Sequence, residues 1–201
     1  MQLKVLSWMT AAMLAAITVP AGAGMVLKMN LSQLTDRADA IFRGQVLSAE
    51  PGKIAIGGGT LPTVTYRLRV DEAFKGQFEA KENASPEVEI TMLGTFKAAA
   101  SNGSQTHLSS SLPELPKLRV GENYVLFTTA PGKSGLRSPV GLGQGSFRIY
   151  PGANKTEFAV NELNNLGLFD GGAAAQRAGT GAPGPVTYTR LAGAILAELG
   201  K

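Results

Sequence analysis

The chain has 201 residues, with 25 glycines, 11 prolines, one histidine, one tryptophan and no cysteine. That composition excludes disulfide staples, thiolate zinc centres, thiol nucleophiles and His-rich metal clusters. Nineteen Lys and Arg against fifteen Asp and Glu leave a net charge of +4, a small surplus without the concentrated basic patch that nucleic-acid binding needs.

Met1-Gln2-Leu3-Lys4 precedes an apolar stretch from Val5 to Val19, then Pro20 and Ala21-Gly22-Ala23. An early positive charge, a short apolar centre and an Ala-x-Ala site are the parts of a cleavable signal peptide, residues 1–23, with the mature chain starting at Gly24. Ser7, Thr10 and the closing proline make the stretch too short for a membrane anchor. Export without cysteine points to a bacterial periplasmic or secreted protein, and cleavage removes Trp8, the sole tryptophan.

Along the mature chain, Val26, Leu27 and Met29 predict a short strand, and Ser32 a cap for a helix over Gln33 to Ala38. Ile41 to Leu47 reads as the first main strand. Pro51 to Pro62, with Gly57, Gly58, Gly59 and Thr60, reads as a mobile hairpin connection. From Thr63 to Phe74 the alternation places Val64, Tyr66, Leu68 and Val70 inward and Thr65, Arg67 and Arg69 outward. Val88, Ile90 and Met92 repeat the pattern against Glu87, Glu89 and Thr91. Pairing of the two strands would put the arginines and carboxylates on one exposed face.

Ala98 to Lys117 reads as a long surface loop rich in serine, and Tyr124 to Thr129 as a further strand. Phe147 to Tyr150 and Glu157 to Asn161 flank Pro151-Gly152-Ala153-Asn154, a hairpin signal. The domain is expected over 24–169, a Gly/Ala-rich linker over 170–185, and a terminal helix over 186–201. In that helix Thr187 is the cap, Tyr188, Leu191, Ile195 and Leu199 share one face, and Gly200 ends it. Its polar face lacks a basic stripe, so it is expected to dock on the strands and not on a membrane.

The motifs that carry chemistry are thin. Gly141, Gly143 and Gly145 lead into a strand where a dinucleotide loop would open a helix, so they read as a tight loop where side chains would clash. Gly132-Lys133-Ser134 lacks the leading glycine and following helix of a phosphate loop. His107 sits among Ser104, Ser109, Ser110 and Ser111, a setting with little to hold a catalytic base rigid, and no Gly-x-Ser-x-Gly elbow occurs. A pair of carboxylates with no fixed spacing escapes such a search. Tyr124, Tyr150 and Tyr188 are stacking candidates for sugar, each also suited to a core.

The ordered set Ala38-Asp39-Ala40-Ile41-Phe42-Arg43-Gly44-Gln45-Val46, Tyr66 to Val70 leading to Phe74-Lys75-Gly76, and Gly121-Glu122-Asn123-Tyr124-Val125-Leu126 resembles the oligonucleotide/oligosaccharide-binding (OB) barrel of tissue inhibitors of metalloproteinases and netrin-type modules. With Val140-Gly141-Leu142-Gly143-Gln144-Gly145-Ser146-Phe147 it also looks like uncharacterised exported bacterial proteins. The resemblance spans Leu27 to Phe147. It implies a mainly β fold, a small OB-like, netrin-module-like β-barrel with a short N-terminal helix, an added β-hairpin and a C-terminal helix. Metalloproteinase inhibition does not transfer, because those inhibitors chelate zinc through a mature N-terminal cysteine and Gly24 stands there instead.

The expected function is therefore that of an exported, non-enzymatic binding module for a protein partner, without cofactor, metal, nucleic acid or membrane anchor. Rim loops carry the candidate contacts: Gly57, Gly58, Gly59, Thr60, Gly141, Gly143, Gln144 and Gly145. A cell-envelope saccharide binder and a small carboxylate-dependent hydrolase are the alternatives.

Overall fold

The computed structural model describes residues 27–80, 84–96, 108–109, 115–171 and 182–201. The expected signal peptide, His107 with its neighbours Ser104, Ser110 and Ser111, and most of the Gly/Ala-rich linker lie outside the described residues. Among the described residues the fold is mainly β: one antiparallel seven-stranded sheet, not closed, with two α-helices and a separate two-stranded ladder.

Helix α1 covers Leu31–Arg37, and its cap is Asn30 in place of the expected Ser32. Asn30 accepts from the Gln33 N–H at 2.9 Å while Gln33 Oε1 accepts from the Asn30 N–H at 3.0 Å. A reciprocal capping box satisfies two donors that a cap at the serine two residues further in would leave open. The expected strand around Leu27 and Met29 does not form; Met29 donates its N–H to Gln144 instead.

The strands are β1 (Ala40–Ile56), β2 (Gly59–Lys75), β3 (Glu87–Leu93), β4 (Thr95–Phe96), β5 (Leu108–Ser109), β6 (Asn123–Thr128), β7 (Ser146–Pro151), β8 (Glu157–Val160) and β9 (Val186–Thr187). Helix α2 spans Tyr188–Glu198. In the main sheet the order is β3-β2-β1-β6-β7-β8-β9. β5 lies inside the segment expected to be a surface loop, 98–117, and pairs with β4, which precedes that segment.

The alternation read in β2 and β3 holds. Val64, Tyr66, Leu68, Val70, Ile90 and Met92 join Phe42, Val46, Leu118, Tyr124 and Leu126 in one core. Burial pushes the Tyr66 phenol up to about 12, although the Leu118 N–H bonded to it works the other way. Arg67 stands opposite Glu89 and Arg69 opposite Glu87, as expected. Their ion pairs, however, go to Glu50 at 3.7 Å and Asp71 at 2.7 Å.

A second core lies on the other face. Ile41, Val125, Phe127, Phe147 and Ile149 from the sheet pack against Leu31 and Leu34 of α1 and Leu191, Ala194 and Ile195 of α2. The terminal helix therefore shares the core of the domain. β6 supplies Tyr124 and Leu126 to one core and Val125 and Phe127 to the other, so it is buried on both faces and reads as a nearly unbroken apolar run.

The sheet curls around the first core. Segment 136–139 lies beside the end of β6 through the Thr129 N–H to Ser138 O bond at 3.0 Å, and the Arg137 N–H donates to Thr91 O of β3 at 2.9 Å. Arg137 also grips Asp39 at 3.0 Å and Thr129 O at 2.8 Å.

Candidate interaction surface

β1 and β2 stay paired to the last residue, Ile56 opposite Gly59. The expected mobile connection is thus a two-residue turn, Gly57-Gly58, with Gly59 and Thr60 already inside β2. Both turn residues have positive φ, 60° and 80°, the pattern of a type I′ turn whose twist matches the flanking strands. A Cβ at either glycine would meet nothing within 4 Å, so backbone geometry alone calls for glycine there.

The hairpin outruns its neighbours. β6 pairs with β1 only as far as Gln45, and β3 with β2 only from Thr63. Residues 50–62 therefore project as a two-stranded arm. Ile54 stands opposite Leu61 and two residues from Ile56, so the three share one face. Ile56 and Leu61 are each 42% exposed.

Gly141, Gly143, Gln144 and Gly145 lie at the other end of β1, beside Phe127, and the two candidate loops do not meet. Leu142–Gly145 forms a 3-10 turn entered through Gly141 at φ 62°. A Cβ on Gly143 would collide with the Glu162 carboxylate, and one on Gly145 with the Val140 carbonyl oxygen. Gln144 is 2% exposed. Its Oε1 accepts from the Met29 N–H at 2.8 Å and its Nε2 donates to Leu27 O at 3.0 Å. Asn161 Nδ2 donates to Gln144 O at 3.0 Å, and Asn165 donates to Ala159 O and Gly184 O at 3.0 and 2.9 Å. These residues hold the ends of the domain together; Gly143, Gln144 and Gly145 are buried and Gly141 is half-buried.

Glu162 lies at the surface, and no motif in the chain points to it. Desolvation raises its pKa, opposed by the Lys117 backbone N–H and by Lys117's charge. Carboxylates Glu157 and Glu72 gather around Arg43 and Tyr188, a juxtaposition no spacing rule predicts. Arg43 clamps Glu157 through two bonds of 2.8 and 2.7 Å, and its guanidinium lies 4.4 Å from the centre of the Tyr188 ring. The Tyr188 hydroxyl donates to Glu72. Burial, then the Glu72 carboxylate, push that phenol's pKa up. Burial disfavours the Arg43 charge, but the bonds to Glu157 and Tyr188 outweigh it and leave its pKa raised. Both carboxylates are thus engaged in fastening the start of α2 to the sheet.

Tyr124 is buried, its hydroxyl bonded to Glu122 at 2.8 Å. Tyr150 is half-buried, stacked on Phe158 with centroids 6.0 Å apart and Arg148 5.4 Å away. A shallow cleft among Val64, Tyr66, Met92 and Pro116 holds about 10 Å³ of cavity, room for no more than a single water and far below the roughly 300–1,000 Å³ of small-molecule sites.

No family profile matches this chain, and no curated protein matches it.

Proposed function

We propose that the chain is an exported, non-enzymatic module that binds a protein partner through the β1–β2 arm, on a scaffold that is a partly open barrel of OB type. The observation that carries the reading is the arm itself: thirteen residues, 50–62, run out past the neighbouring strands and present the exposed Ile56 and Leu61 with the half-buried Ile54 on one face. An isolated two-stranded ribbon is marginal in water, and apolar side chains held out on a rigid base suit contact with another protein. Export is supported by residues 1–23, with periplasmic or secreted destination. The barrel is supported by the curl around the Tyr66 core and the Arg137 N–H to Thr91 O bond.

The test replaces residues 53–62 by an Asn-Gly turn that joins the paired Gly52 and Thr63. A pull-down from envelope extract with mature protein should lose its specific partner, while the melting temperature stays within a few degrees. Retention of the partner by the shortened protein overturns the arm as the site.

A saccharide reading is favoured by one observation, the half-buried Tyr150 and Phe158 pair beside the exposed Arg148. Cross-strand aromatic pairs also stabilise sheets unaided, so the arm is the better-supported site.

A further inference from the structure

We infer that the arm binds by entering an apolar cleft of a larger protein with its faces, and not by adding a strand or pairing with a second copy; the inference rests on the arm being the binding site. The first argument concerns the edges. The Pro62 carbonyl accepts from the Gly94 N–H at 3.0 Å, so position 62 faces away from β1. Antiparallel pairs alternate in direction, which turns Pro51, Lys53 and Ala55 outward on one edge and Thr60 and Pro62 outward on the other. Two of these five positions are prolines without an N–H, and a third is lysine. Such residues are what natural sheets use to stop edge pairing. Strand addition would find only Lys53 and Ala55 N–H groups on one side and Thr60 N–H on the other.

The second argument concerns area. A stable interface buries about 800 Å² per partner over 20–30 residues, or roughly 30–40 Å² per residue. Ile54, Ile56 and Leu61 packed flat against a second copy would supply on the order of 100 Å². Covered on both faces and both edges, the thirteen-residue arm gives roughly 400–500 Å² at the same figure, so a cleft that encloses it, with the cleft's rim against the adjoining sheet, comes nearest the required area. The tip suits entry, because Gly57 and Gly58 carry no side chain and nothing crowds them. The cleft's floor is apolar to match Ile54, Ile56 and Leu61, all on the face that bears Glu50 and Thr65 nearer the body.

The experiment places a photo-cross-linking residue singly at Ile56, Leu61, Lys53 and Thr60, with Asp36 on α1 as the remote control, in cells that make the full chain. The captured protein is then purified and titrated against mature wild type, Ile54→Arg, Leu61→Arg and Asp36→Arg. Adducts to one other protein from Leu61 and Thr60 alike, none from Asp36, and at least tenfold weaker binding for both arm arginine variants with less than twofold change for Asp36→Arg, are the expected result. Adducts confined to Lys53 and Thr60 with full affinity in Ile54→Arg would mean strand addition and overturn the cleft while leaving the arm as the site. Adducts between two copies of this chain overturn the cleft in favour of self-association. Absence of adducts from every arm position removes the arm as the site altogether.

Discussion

Two glycine-rich turns look alike in the sequence and do opposite things. At Gly57-Gly58 the chain reverses in open space, and glycine is there for its positive φ. At Gly141 to Gly145 the chain is pressed against Glu162 and Val140, and glycine is there because a Cβ has no room. The first turn frees an arm to meet other molecules; the second binds Met29, Asn161 and Gln144 into one buried knot. A run of glycine thus marks a backbone demand, and only the surroundings say whether the place is exposed.

The contrast can be broken most severely at Gln144. Gln144→Ala leaves the buried Met29 N–H without a partner and turns the Leu27 O over to water; at about 1–3 kcal/mol for the one buried group, with the cavity left by a buried side chain added, the loss should be about 2–4 kcal/mol in urea unfolding. An effect below about 1 kcal/mol would mean that water replaces the amide. Gly145→Ala comes next, because its methyl meets the Val140 carbonyl oxygen. Overpacking of this kind costs about 1–3 kcal/mol, read as a lower unfolding midpoint with unchanged slope.

Gly58→Ala should cost less, on the order of 1 kcal/mol, since a left-handed backbone penalises a Cβ even where there is space. If Gly58→Ala is as damaging as Gly145→Ala, the tip is not the open turn described. The smallest effect belongs to Glu162, whose carboxylate packs against Gly143. Its pKa is raised in the folded state, so folding favours the protonated form; the stability this brings is present below pH 4.5 and lost as pH rises through the raised value. Glu162→Gln should flatten that fall in a pH series of melting temperatures, and an unchanged slope would assign it to other groups.

Much of the sheet was legible. The period of two in Val64 to Val70 and Val88 to Met92 named the inward residues, because one face of each strand meets a core and the other meets water. The Pro151 to Asn154 hairpin and the Thr187 cap were equally plain; the cap accepts from the Arg190 N–H at 3.3 Å. The arm was missed as structure. Residues 51–62 carry two prolines and four glycines, which read as a loop, yet the prolines sit at outward-facing pairs where no ladder bond is lost. Gln144 was legible only as a loop residue, since its partners Met29 and Leu27 are more than a hundred residues away in the chain.

By itself, the sequence determined the mainly β character, the inward faces of β2 and β3, the capped terminal helix, and the absence of any thiol chemistry. Those follow from local rules, in which neighbours two to four residues apart decide burial and turn geometry. Tertiary structure alone decided which glycine turn is exposed and which is buried, that Glu72 and Glu157 meet around Arg43 and Tyr188, and that β1 and β2 extend beyond their neighbours. Each of these depends on where strands distant in the chain begin and stop pairing, which turns on long-range packing and on bulge-shifted register that no short window records.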